Sequence, residues 1–188
     1  MPQGRGSRKP PGEGGGPAGG GTPVERPTAW EAAIALLAIR AYSTHELEQR
    51  LRRRGCAAEE IAAVVARLTA ARYLDDAEYA RAWARSRARR LSLGPARLAR
   101  ELRARGVDSA HIADALAETA TEDDPRVLAE EAAARRLKTL QGVPAATARR
   151  RLAAFLARRG FATAVIIDVC RRHFPHLPDS GEAGEGPA

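Results

Sequence analysis

Between about residues 30 and 174, apolar side chains recur at intervals of three and four, and no stretch alternates as a half-buried strand would. Three segments carry that helical pattern in one frame: ELEQRLRRRGCAAEEIAAVV (46–65), RLARELRARGVDSAHIADAL (97–116) and RLAAFLARRGFATAVIIDVC (151–170). When they are superposed on Gly55, Gly106 and Gly160, Leu47, Leu98 and Leu152 fall eight residues earlier. Leu51, Leu102 and Leu156 fall four earlier, and Ile61, Ile112 and Ile166 six later. A frame repeated in this way predicts one helical unit used three times.

Glycine has a physical role in that frame. A helix commonly ends on a left-handed residue, which glycine adopts without a Cβ clash. If each glycine is the first residue past its helix, the leucine four before it faces Cys56, Val107 or Phe161. All three are apolar, as the hydrophobic contact of a Schellman cap requires.

A further helix precedes each of these caps. Trp30 to Ile39 places Ile34, Leu37 and Ala38 at helical spacing, and Ser43 with Glu46 forms a capping box for the next helix. Asp75 and Glu78 start a helix with Leu74 and Tyr79 spaced as its staple, and Pro95 sits at a favoured first helical position. Pro125 opens a third helix that Gly142 to Pro144 ends. The expected fold is all-α: three tandem three-helix modules over 29–70, 71–120 and 121–174, stacked as an elongated, curved body with a long binding face.

Composition limits where that fold can extend. The head, 1–28, and the tail, 175–188, are rich in glycine and proline and poor in large apolar residues, so both are expected to be disordered. The sequence has no secretory apolar region and no run long enough to span a bilayer, which predicts a cytoplasmic protein without a membrane partner. Cys56 and Cys170 are far apart and lack a ligand pattern, so they read as small apolar residues.

Charge narrows the partner. The formal net charge is +8, and nearly all the bases are arginine. A genome biased towards arginine explains arginine over lysine but not the positive excess, which favours a polyanion or an acidic protein surface. No nucleotide-binding, hydrolase, zinc-protease or EF-hand motif occurs. Asp75 and Asp76 have no second cluster to complete a catalytic or metal site, and His111 reads as a solvated or capping side chain. The expectation is a non-enzyme with no cofactor and no metal.

The arginines carry the binding hypothesis. From Tyr79 to Gly106 there are nine arginines and one acid, Glu101. On the helix that starts at Asp76, ~100° per residue puts Tyr79, Trp83 and Ser86 inward and Arg81, Arg85 and Arg89 outward, with Glu78 as their one neutralising acid. On the next helix Leu98 and Leu102 point inward, while Arg97, Arg100 and Arg103 point away. Arg52 and Arg53 repeat the charge in the first module, and Arg150 and Arg158 in the third. Such a ladder suits a periodic anion bound in a salt-dependent, sequence-independent way. A plain solvated surface is the competing reading, and Trp83 and Tyr79 read as core more than as base-stacking residues.

Together AYSTHELEQRLRRRG (41–55), LTAARYLDDAEYARAWARSR (68–87), LGPARLARELRARGV (93–107) and the unit at 149–170 resemble the RecX family, regulators of the RecA recombinase. The resemblance covers about Trp30 to Phe174, with Arg72 standing where the family usually has glycine, and it leaves out the glycine-rich head. It implies a monomeric protein that binds the RecA filament on single-stranded DNA and restrains its ATPase, strand exchange and extension. The alternative is a general DNA-binding architectural protein without a recombinase partner.

Overall fold

The computed structural model describes residues 27–177, and the head and tail assignments over 1–26 and 178–188 lie outside them. Within that range nine α-helices form three consecutive sets of three. The first set is α1 (Ala29–Leu37), α2 (Thr44–Arg53) and α3 (Ala58–Ala70). The second is α4 (Asp76–Leu91), α5 (Pro95–Arg103) and α6 (Ser109–Glu122). The third is α7 (Pro125–Leu137), a 3-10 turn at Lys138–Leu140, α8 (Ala145–Arg159) and α9 (Thr163–His173). The edges assigned to head and tail belong to the fold: Thr28 caps α1 reciprocally with Glu31, and the Leu177 carbonyl accepts from Arg149.

Local chemistry explains why these helices start and stop where they do. Ser43 and Glu46 form the expected capping box on α2, and the Asp75 carboxylate accepts from the Glu78 N–H at the start of α4. The middle helices end in the same hydrogen-bonded cap three times. Cys56, Val107 and Phe161 N–H groups donate to the carbonyls of Leu51, Leu102 and Leu156, and each glycine donates three residues back. Gly55, Gly106 and Gly160 have φ of 83°, 72° and 87°, the left-handed region that glycine enters without strain. Arg72 holds the same conformation at φ 57°, in the place where the family resemblance expects glycine.

The first helix of each module buries alanine, which differs from the stripes expected from large apolar residues. In α1 the inward residues are Ala29, Ala32, Ala33 and Leu36, while Ile34 and Ala38 are exposed and Leu37 half-buried. In α4 they are Tyr79, Ala80, Ala84 and Ala88, with Trp83 half-buried and Ser86 exposed. In α7 they are Leu128, Ala129, Ala132 and Ala133. Small side chains let two helix backbones approach closely, so the tightest seam forms on the alanine row rather than the aromatic one.

The repeat-frame leucines 47, 51, 98, 102, 152 and 156 are fully buried, each contributing roughly 1.5–3 kcal/mol of hydrophobic stabilisation. They build two cores. One belongs to the first module and takes in Leu74 from the start of the second, and the other runs unbroken through the second and third modules. Leu74 and Tyr79 therefore lie in different cores, so the expected staple within one module straddles a boundary. Ile61 and Ile112 are buried and Ile166 is half-buried against the shared core; Cys170 is buried and Cys56 is half-buried.

The middle helices meet head to tail. Ser43, the N-cap of α2, donates its hydroxyl to the Arg105 carbonyl at 2.5 Å, and a Cβ on Gly106 would strike the His45 side chain. Gly94, the N-cap of α5, donates its N–H to the Arg159 carbonyl at 2.9 Å, and Ala96 donates to the Gly160 carbonyl at 3.1 Å. Ser43 and Gly94 each stand twelve residues before their own module's cap glycine. The same repeat position thus makes both joints, from the start of one middle helix to the carbonyl preceding the next module's cap glycine. This arrangement sets the arginines of α2, α5 and α8 on three helices joined in series.

Candidate nucleic-acid interface

Helix α4 carries arginine on two flanks that meet different surroundings. One residue beyond each buried alanine stand Arg81, Arg85 and Arg89, and this flank lies against α6. Arg81 pairs with Glu78 at 2.9 Å and approaches Glu118 at 3.9 Å. Arg85 pairs with Glu118 at 2.8 Å and Glu122 at 3.0 Å. Arg89 pairs with Glu122 at 2.9 Å and Asp123 at 2.8 Å. The expectation of an outward stripe balanced only by Glu78 is corrected: the alanine seam brings α6 close enough for its acids to interleave with the guanidinium groups.

The opposite flank holds Trp83. Arg105, in the turn after α5, lies over the indole at 3.6 Å and Arg87 at 4.4 Å, while Tyr79 stacks beside it with centroids 6.0 Å apart. The indole nitrogen is buried and has no hydrogen-bond acceptor among the described residues. Trp83, Ser86, Arg87, Arg90 and Leu91 line a cavity of about 360 Å³. Arg87 and Arg90 have no carboxylate partner among the described residues.

The other nominated arginines divide in the same way. Arg97 pairs with Glu101 at 3.0 Å and Arg52 with Glu48 at 2.9 Å, while Arg53 reaches the Gln49 amide at 3.5 Å. Arg100, Arg103, Arg150 and Arg158 are exposed and have no ion pair among the described residues. Arg100 and Arg103 lie on α5, and Arg150 and Arg158 on α8, so the second joint connects their helices. Sequence spacing missed Arg87 and Arg90. The available signal was the four-residue step from Trp83 to Arg87, which puts a cation over an aromatic ring on one helix face.

The acids singled out from the sequence are committed elsewhere. Asp75 caps α4, and its pKa is held below the usual aspartate value first by the Glu78 N–H. Asp76 accepts from the Thr44 N–H at 2.8 Å and so fastens the start of α2 to α4. These residues, with Thr69, Arg72, Leu74 and His111, line a wider opening of about 570 Å³ between the first two modules. Its carboxylates disfavour an anion, and they serve the joint.

At that joint the Tyr79 hydroxyl donates to Glu46 at 2.9 Å, and Arg40 and Arg105 lie 3.4 and 3.9 Å from the same carboxylate. Burial and then the hydrogen bond to Glu46 push the Tyr79 hydroxyl up to about 12. Burial alone would raise Glu46, but hydrogen bonds from Arg40 and Tyr79 outweigh it and hold the carboxyl below its usual value. At the second joint Arg159 donates to the Leu91 carbonyl and lies 4.6 Å over the Phe155 ring. Burial, then the charge of Arg135, lowers its guanidinium pKa.

With this geometry in place, comparison with known proteins gives a consistent result. Family models for the first, second and third three-helix domains of RecX match residues 29–68, 75–116 and 122–170. A regulatory protein RecX from Amycolatopsis mediterranei is 39% identical over 133 residues, 71% of this chain and 75% of that protein. Its counterpart from Streptomyces coelicolor is 32% identical over 163 residues, 87% of this chain and 84% of that protein. A crystal structure of RecX from Lactobacillus salivarius has the same fold, with a TM-score of 0.68 and 19% identity, covering 79% of this chain and 96% of that one.

Proposed function

The chain belongs to the RecX family of regulatory proteins, and from that premise we propose that it binds the RecA filament on single-stranded DNA and restrains its ATPase, strand exchange and extension. The observation that carries the reading is that Arg100 and Arg103 on α5 and Arg150 and Arg158 on α8, helices joined in series, are exposed and have no ion pair among the described residues. A guanidinium without a carboxylate partner is free to meet a phosphate, and a row of them matches a regularly spaced anion. Arg81, Arg85 and Arg89 support the reading less directly: held by α6, they shape the module, and a polyanion has to compete with Glu118 and Glu122 to reach them.

The deciding measurement is RecA ATPase on saturating single-stranded DNA, with this protein added well below one per recombinase subunit. Strong inhibition at that ratio supports regulation of the filament. Inhibition that appears only when the DNA is fully covered points to the architectural reading, which the basic charge also supports. Arg100→Glu with Arg103→Glu should weaken filament binding and flatten its salt dependence while leaving helicity intact. The reading requires that loss.

A further inference from the structure

We propose that the cavity on the Trp83 flank of α4 is a subsite for one nucleotide of a single strand, with a base held against the Arg87–Trp83 stack and a phosphate held by Arg90. The proposal rests on the nucleic-acid reading above and assigns it a place.

Two features separate this flank from the rest of the basic surface. The first is charge. Every arginine on the α6 side of α4 is matched to an acid, whereas Arg87 and Arg90 are matched to none among the described residues. The second is shape. Trp83, Ser86, Arg87, Arg90 and Leu91 stand on successive turns of α4 and line an open groove of about 360 Å³, at the low end of small-ligand sites, roughly 300–1,000 Å³.

Its walls match the parts of a nucleotide. Arg87 and Arg105 both lie over the indole, so the surface left for a splayed base is the outer guanidinium plane of Arg87, and guanidinium planes are surfaces on which such bases stack. Leu91, 40% exposed, adds an apolar wall for the sugar or base edge. Arg90 supplies an exposed fork for a phosphate, without an ion pair among the described residues, and the Ser86 hydroxyl supplies a further donor. An acidic peptide would satisfy the cations but has no flat group for the stack. Bases of a duplex are already stacked on one another, so the site discriminates in favour of single strands.

Position adds to the case. The cavity ends at Leu91, whose carbonyl accepts from Arg159 at the end of α8. A strand seated there lies beside the joint between the two helices that carry the unpaired arginines.

The test uses the full chain with Trp30→Phe, which leaves Trp83 as the sole tryptophan. Adding oligothymidylate should quench Trp83 emission, and duplex DNA or polyglutamate at equal charge should not. Arg87→Gln with Arg90→Gln should abolish the quench and weaken binding about ten-fold or more, the scale of one stacked base. Arg100→Gln with Arg103→Gln should weaken binding yet keep the quench at saturation. Unchanged emission with normal strand affinity overturns the subsite and leaves the nucleic-acid reading standing, and so does equal quenching by polyglutamate or duplex. Failure of the parent chain to bind any single strand overturns both.

Discussion

At the joint between the first two modules, the N-cap of α2 reaches the α5 glycine turn through the Ser43 hydroxyl. At the joint between the second and third, the equivalent Gly94 reaches the α8 turn with its backbone N–H. A side chain fits at the first joint and not at the second, where a Cβ on Gly94 would strike the Gly160 carbonyl and one on Gly160 would strike Arg97. Spacing the first joint by a hydroxyl leaves room for Asp76, Tyr79 and Glu46 to bridge it, and the cores on either side stay separate. Closing the second joint backbone to backbone lets the two cores merge. One repeat position can thus set a polar or an apolar joint by the size of its side chain.

The largest expected effect compares the cores. Leu152→Ala and Leu47→Ala should each cost about 2–5 kcal/mol. In native-state hydrogen exchange, Leu152→Ala should lower protection across the second and third modules together, and Leu47→Ala across the first alone. Protection lost evenly along the chain after Leu47→Ala would mean that the first joint transmits stability as the second does.

Next come the three cap glycines, which share a conformation but not a neighbourhood. Alanine in the left-handed region costs roughly 1–2 kcal/mol, and that strain is the whole expected cost at Gly55, where nothing lies within 4 Å. Gly106→Ala should cost more because His45 has to rotate away, and Gly160→Ala most because the obstruction is the Arg97 backbone. Thermal denaturation should rank them in that order; equal losses would show that the joints do not feel the added methyl.

Tyr79→Phe removes a half-buried hydrogen bond to a carboxylate and should cost about 1–2 kcal/mol, loosening only the first joint. Distance measurements between labels on α3 and α6 should broaden, while those between α6 and α9 should not.

The smallest effect is on pH. Glu46 has a depressed pKa in the folded state, so its contribution is present above the usual glutamate value of about 4.3 and is lost as pH falls through the folded value. Tyr79 is raised, so its contribution is present below the ordinary value of about 10 and is lost as pH rises towards about 12. The first joint should therefore loosen at both extremes. Exchange at Thr44, whose N–H crosses that joint, should report it, and a flat profile between pH 5 and 9 with no change beyond would count against this account.

Much of this was legible in the sequence because local rules set it. The capping box at Ser43 and Glu46, the Asp75 cap and the three glycine turns each depend on residues within about five positions. The inward face of α4 was not legible. Alanine is apolar enough to bury and small enough to ignore, so Trp83 and Ser86 stood beside Tyr79 in a stripe whose inward places belong, besides Tyr79, to Ala80, Ala84 and Ala88. The Arg81, Arg85 and Arg89 stripe was visible, but its acids Glu118, Glu122 and Asp123 lie 33 to 37 residues onward in the chain.

The sequence by itself determined the three-fold helical repeat and the cap that ends each middle helix, because both follow from hydrophobic period and backbone conformation over short spans. The tertiary structure alone decided which arginines are spent on α6 and which stay open beside Trp83. It also decided that Ser43 and Gly94 make unlike joints at a single repeat position. Those outcomes depend on how closely two helices approach, a distance set by packing across the whole module and not written at any one residue.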